Sequence, residues 1–129
     1  MSIHTTKLQC SYHKQNLIQV LFLRVIYEKP TYGYKIIENI KKITNNQHEI
    51  KTGTAYTLLR RMEKRGLLMS VWEENKQGPN KRIYMITKKG KKQLKIWLEI
   101  IIQRKKIINK MVNFYNKHFR NKKLSKYII

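Results

Sequence analysis

K-T-G-T-A-Y-T-L-L-R-R-M-E-K-R, residues 51–65, places Ala55, Leu58, Leu59 and Met62 at i, i+3, i+4 and i+7, the stripe that a helix buries against a domain core. Thr54, Thr57, Arg60, Arg61 and Lys64 are left pointing outward. Thr52 can offer its hydroxyl to the orphan amides of the first turn, and Gly53 removes side-chain bulk beside it. Gly66, free to adopt positive φ, should close the helix after Arg65. An apolar stripe backed by a dense basic face is what a helix inserted into a DNA groove needs. An amphipathic helix with a merely solvated charged face would read the same way, so the segment alone leaves both readings open.

The sequence that follows favours the first. Leu67 to Glu74 is apolar and β-prone, Asn75 to Lys81 is a turn built on Gly78-Pro79-Asn80, and Arg82 to Thr87 alternates like a half-buried strand. A β-hairpin directly after the basic helix carries Lys76, Lys81 and Arg82 at its tip and flanks, beside the phosphate backbone if the helix lies in a major groove. Pro79 also blunts an edge for strand pairing, a structural role that stands next to the functional one. Helix, helix and basic hairpin together predict a mainly α fold with a small β-hairpin wing, a winged helix-turn-helix.

Upstream, Leu17 to Tyr27 is apolar on nearly every side, with Leu17, Ile18, Val20, Leu21, Phe22, Leu23, Val25 and Ile26, so it should be buried on more than one face. Pro30 ends it, since the ring lacks an amide donor and pushes the preceding residue out of the α region. A second helix, Tyr32 to about Thr44, should bury Ile36, Ile37, Ile40 and Ile43. A polar loop, Asn45 to Glu49, follows, and Ile50 is a short strand or an apolar anchor before Thr52.

Charge agrees from an independent direction. The 129 residues hold 29 Lys and Arg against 7 acidic residues, all glutamate, for a net +22. Residues 1–50 contribute +4 of this and residues 51–129 contribute +18, so the charge gathers from the basic helix onward. A polyanion partner follows, with affinity falling in salt at a log–log slope of about −0.9 per phosphate contacted. Charge alone would equally suit a non-sequence-specific architectural protein of DNA or RNA, or a basic helix lying on anionic lipid. The helix and wing favour a sequence reader over both. No run is long enough to span a bilayer, and the first apolar stretch comes too late for a secretory leader, so a cytoplasmic, DNA-associated protein is expected. Cys10 is alone, as in a reducing compartment, and reads as incidental to an N-terminal arm. Cys10 and the histidines at 4, 13, 48 and 118 show no metal-ligand or nucleophile–base spacing, so no catalytic residues, metal or cofactor are expected.

After Thr87, an N-cap by residue type, the chain from Lys88 to about Phe119 has no proline and predicts one long helix. Leu94, Ile101, Ile108 and Tyr115 fall seven apart, while Leu98, Lys105, Val112 and Phe119 occupy a second heptad position. Trp97, Ile100, Ile107 and Met111 broaden the seam. Such a seam exceeds what a small winged domain can cover, and its simplest place is against a second subunit, with Leu94, Trp97, Leu98, Ile101, Ile108 and Val112 at the dimer interface. Folding back on its own domain is the alternative. The expected organisation is an arm at 1–13, the winged domain at 14–87, the dimerisation helix at 88–119 and a basic tail at 120–129.

P-T-Y-G-Y-K-I-I at Pro30 to Ile37, G-T-A-Y-T-L-L-R-R-M-E-K-R-G-L-L at Gly53 to Leu68, Trp72-Glu73, Gly78-Pro79, R-I-Y from Arg82 and T-K-K-G from Thr87 resemble the PadR-like transcriptional regulators, in order and spacing, over roughly residues 17–102. The length, with one C-terminal helix, resembles that family's short branch. The resemblance implies a homodimeric winged-helix repressor, often responsive to a small molecule. It would bind a near-palindromic operator in double-stranded DNA, with recognition helices roughly 34 Å apart. Thr54, Tyr56 and Thr57 would lie nearest the base edges, with Thr52, Arg60, Arg61, Lys64, Lys76, Lys81 and Arg82 completing the interface. The resemblance also implies a planar aromatic effector between the C-terminal helices, for which Trp97 and Ile101 are the candidates. A tryptophan at helical spacing is more often core than ligand platform.

Overall fold

The structure, a computed structural model, describes residues 17–47 and 49–120. The expected arm at 1–13 with Cys10, His4 and His13, then His48, and the tail from residue 121 onward lie outside the described residues. Helix α1 runs through residues 17–28 and stops ahead of Pro30. Val20, Phe22, Leu23, Val25 and Ile26 are all buried, which accounts for its nearly continuous apolar sequence.

Strand β1, Thr31–Tyr32, leads directly into helix α2, Gly33–Ile43. Ile36 and Ile40, one turn apart, are buried in the core, while Ile37 and Ile43 are half-buried at its margin. The turn after α2 places Asn45 and Asn46 at φ 51° and 65°. Asparagine tolerates this left-handed region better than most side chains, and the Asn46 amide donates to the Lys41 carbonyl at 2.8 Å. Ile50 is a half-buried anchor and not part of a strand.

Helix α3, Thr52–Lys64, buries Ala55, Leu59 and Met62 completely, with Leu58 half-buried beside them. Its start corrects the expectation for Thr52. Lys51 holds the extended cap geometry, φ −63° and ψ 140°, and no side chain caps the helix. Thr52 is already helical, so its hydroxyl cannot turn back onto the amides of its own first turn. At the other end Gly66, at φ +79°, closes the helix as its sequence position suggested.

Strands β2, Leu68–Glu73, and β3, Lys81–Ile86, form the antiparallel hairpin, in a sheet ordered β1-β3-β2. The short β1 pairs Thr31 with Tyr84 and Tyr32 with Ile83, an addition the hairpin pattern did not announce. Alternation along the hairpin sends Leu68, Ser70, Tyr84 and Arg82 to the face that meets α3. Met69 and Val71 lie exposed on the opposite face.

Thr87 is a working N-cap for the last helix: its hydroxyl accepts the Gly90 amide at 3.0 Å and donates to the Gly66 carbonyl at 2.5 Å. Helix α4, Lys88–Tyr115, then passes into a π-helical turn, Asn116–Arg120, so the regular helix ends short of Phe119. There the rings of Phe114 and His118 meet at 4.5 Å and those of Tyr115 and Phe119 at 6.1 Å. The chain divides into two compact units between Lys95 and Ile96. In the first, Phe22, Leu23, Ile26, Ile36, Ile40, Leu59, Met62, Leu68 and Tyr84 close into the core. In the second, Ile107 is 63 % exposed and Met111 61 %, with Ile96, Leu98, Ile100, Ile101, Ile102, Ile108, Val112, Phe114 and Tyr115 also open.

Candidate nucleic-acid interface

Burial of Ala55, Leu59 and Met62 turns the opposite side of α3 outward, because 3.6 residues per turn leaves only the complementary positions free. Thr52, Thr54, Arg60, Arg61 and Lys64 are exposed, and Thr57 is half-buried among them. The Thr57 hydroxyl donates to the Gly53 carbonyl at 2.8 Å and accepts from Arg60 Nη2 at 3.5 Å, so its one proton is held by the helix itself. Arg60, Arg61 and Lys64 share a concave surface with Thr57, Glu63 and Arg82.

Tyr56 lies on the flank of α3 that turns toward the sheet. A Cβ placed on Gly33 would stand 2.5 Å from its ring, so glycine there lets the start of α2 lie against the phenol. Tyr56 therefore lines a cleft of about 320 Å³ with Tyr32, Tyr34, Arg60, Trp72, Asn80, Lys81, Arg82 and Tyr84. This cleft is aromatic and cationic together. Tyr32 and Tyr34 stack with centroids 5.8 Å apart and planes 3° from parallel, and Lys81 Nζ lies 5.3 and 5.6 Å from the two ring centres. The Tyr32 hydroxyl donates to the Glu73 carboxylate. That bond holds the phenol proton and lifts its pKa above the ordinary tyrosine value, with desolvation and the carboxylate charge acting in the same direction. Tyr84, on the cleft floor, is raised chiefly by burial, opposed by the Arg82 charge.

The wing cations divide. Lys76 and Lys81 are exposed, Lys76 in the loop between strands and Lys81 at the start of β3. Arg82 is half-buried and faces α3: its Nε donates to Ser70 Oγ at 2.7 Å, and its Nη2 lies 3.4 Å from Glu63 Oε1. Tyr32, Tyr34, Glu63, Ser70 and Tyr84 were not singled out from the sequence. The Y-G-Y run was visible as part of a family motif, but nothing local links it to a hairpin some forty residues on. On α4, Leu94 and Trp97 are buried, the latter 6 % exposed, while Leu98, Ile101, Ile108 and Val112 are open, Ile101 at 39 %.

A helix pair whose second member presents a basic outer face, followed by a hairpin wing with exposed lysines, defines the class: a winged helix-turn-helix. The sequence profile of the transcriptional regulator PadR-like family matches residues 22–96. An uncharacterized protein of Lysinibacillus sphaericus is 36 % identical over 84 residues, covering 62 % of this chain and 77 % of that protein. A transcriptional regulator from Clostridium thermocellum superposes with a TM-score of 0.67 at 33 % identity, over 76 % of this chain and 95 % of that one. The fold is also that of Bacillus subtilis PadR in complex with operator DNA, with a TM-score of 0.59, 21 % identity and coverage of 64 % and 46 %. The chain belongs to the PadR-like family of transcriptional regulators.

Proposed function

We propose that the protein is a homodimeric, sequence-specific repressor that reads a near-palindromic operator in double-stranded DNA and works in the cytoplasm. The observation that carries the reading is the outer face of α3: Arg60, Arg61 and Lys64 stand exposed around Thr54 and Thr57, with the wing lysines on the adjoining hairpin. On this reading Thr52, Thr54 and Thr57 lie toward the bases, Arg60, Arg61, Lys64, Lys76 and Lys81 hold phosphates, and Tyr56 and Arg82 border the contact from the wing side. The shared fold with a regulator crystallised on operator DNA supports the same docking.

Dimerisation is proposed through α4, where Leu98, Ile101, Ile108 and Val112 are open to solvent in the single chain while Leu94 and Trp97 are buried. Contiguous exposed apolar surface of that kind marks an association site. Two-fold symmetry then places half-sites about one helical turn apart, roughly 34 Å. An effector that releases the operator would be a planar aromatic compound seated between the α4 helices at Ile101, reaching Trp97 only by displacing what covers its ring. No helix among the described residues is long and apolar enough to cross a membrane.

Selection of bound duplexes from a random pool, with sedimentation of the free protein, tests the whole reading. A two-part palindrome bound by a two-chain species is the expected result. A pool that stays random would favour an architectural basic protein instead. For the effector, a Trp72→Phe variant leaves Trp97 as the only tryptophan, and its quenching by planar compounds is the expected signal; silence across a broad panel removes the effector from the proposal.

A further inference from the structure

Arg82 looks from the sequence like one more cation for the phosphate backbone, yet its side chain is committed within the protein. Nε donates to Ser70 Oγ at 2.7 Å, and Ser70 Oγ donates to the Glu63 carboxylate, 2.7 and 3.0 Å from its two oxygens. Arg82 Nη2 completes the triangle, 3.4 Å from Glu63 Oε1. The guanidinium also lies over two rings, with its central carbon 5.3 Å from the Trp72 ring centre and 5.9 Å from that of Tyr84. Both charged side chains are sheltered, Arg82 at 35 % exposure and Glu63 at 27 %. Glu63 belongs to the last turn of α3, Ser70 to β2 and Arg82 to β3. Among the described residues, every side-chain hydrogen bond that joins α3 to the hairpin runs through Ser70.

We propose that Glu63, Ser70 and Arg82 form a strut that sets the angle of the wing against the recognition helix, with Arg82 a positioning residue and not a phosphate ligand. The inference rests on the DNA-binding reading above and deepens it. An acidic side chain on a basic face costs phosphate affinity by simple electrostatics, so its presence beside Arg82 needs a compensating role. Holding three elements in one geometry supplies that role. Arginine suits it because its planar fork reaches a hydroxyl and a carboxylate at once while stacking on rings, which a lysine ammonium cannot do.

Electrostatics and the strut predict opposite signs for Glu63→Ala, which makes the chain one unit more positive. Binding of the full-length protein is measured, over a salt series, on the duplex recovered by selection and on a scrambled duplex of equal composition, with circular dichroism confirming the fold. The strut predicts that Glu63→Ala binds the selected duplex about tenfold more weakly, the scale of a lost charged hydrogen bond, while scrambled DNA is bound at least as tightly as before. Ser70→Ala and Arg82→Lys, which leave the charge unchanged, should lose affinity for the selected duplex with the salt slope intact. Lys81→Ala, in contrast, should weaken both duplexes and flatten the slope by about 0.9. Tighter binding of both duplexes by Glu63→Ala, or full affinity of Arg82→Lys, overturns the strut and makes Arg82 an ordinary phosphate contact. Should the unaltered protein fail to prefer the selected duplex, the DNA-reading function falls first and the strut with it, before any variant is made.

Discussion

Helix α3 and the part of α4 beyond Lys95 carry apolar residues at helical spacing, and they have opposite fates. In α3, Ala55, Leu59 and Met62 are sealed against α2 and the sheet. In α4, Ile101, Ile108 and Val112 repeat almost as regularly and stay in water in the single chain. A helix with one buried stripe can spend its other face on cations, as α3 does. A helix whose stripe is open requires something further to cover it, and a second copy is the simplest cover. The comparison separates where this protein folds from where, on our proposal, it associates.

Perturbing each side of that comparison should give distinct failures. The largest effect is expected for Leu59→Ala, which empties a fully buried site and should lower unfolding stability by about 2–5 kcal/mol in denaturant titration. Ile108→Glu places a charge in the open stripe; sedimentation should show single chains and the footprint should shrink to one half-site, with near-ultraviolet dichroism of the winged unit unchanged. A dimer that survived this change would move the association surface elsewhere. On the basic face, Arg61→Ala should weaken binding to every duplex alike and make the salt slope shallower by about 0.9, whereas Thr57 variants should alter base preference. Thr87→Ala removes the cap that joins the wing to α4 and should cost about 1 kcal/mol, read as a lower melting temperature.

The smallest effect is alkaline. Tyr84 has its pKa raised, so the folded state holds its proton more tightly than the unfolded chain does. Its contribution to stability is complete below the ordinary tyrosine pKa of about 10 and is lost as pH rises through the raised value. Tyr84→Phe should remove that segment of the stability-versus-pH curve and leave the neutral region nearly unchanged. An unaltered alkaline limb in the variant would mean that other groups, lysines above all, govern it.

Much of this architecture could be read along the chain. Periodicity located α3 and its outer face, Pro30 ended α1, Gly66 ended α3, and Thr87 opened α4, because each depends on near neighbours. The hairpin followed from alternation around a Gly-Pro turn. The pairing of Thr31 and Tyr32 with β3 was not legible, since a two-residue strand has no period and its partner lies about fifty residues away. Nor was the shift of the cap from Thr52 to Lys51, which turns on one residue's backbone angles. Tyr32 with Glu73 and Glu63 with Arg82 escaped for the same reason: both are meetings of polar groups from separate elements.

What the sequence determined by itself is the set of faces: which side of each helix is apolar, where the strands alternate, and where the positive charge gathers. Those properties are local and additive, and periodicity reports them directly. The tertiary structure alone decided which cations stay exposed. Arg60, Arg61 and Lys64 stand exposed, while Arg82, chemically their equal, is bound to a carboxylate and a hydroxyl brought from other elements. Charge is a property of a residue, but its availability depends on what folding places within hydrogen-bond reach.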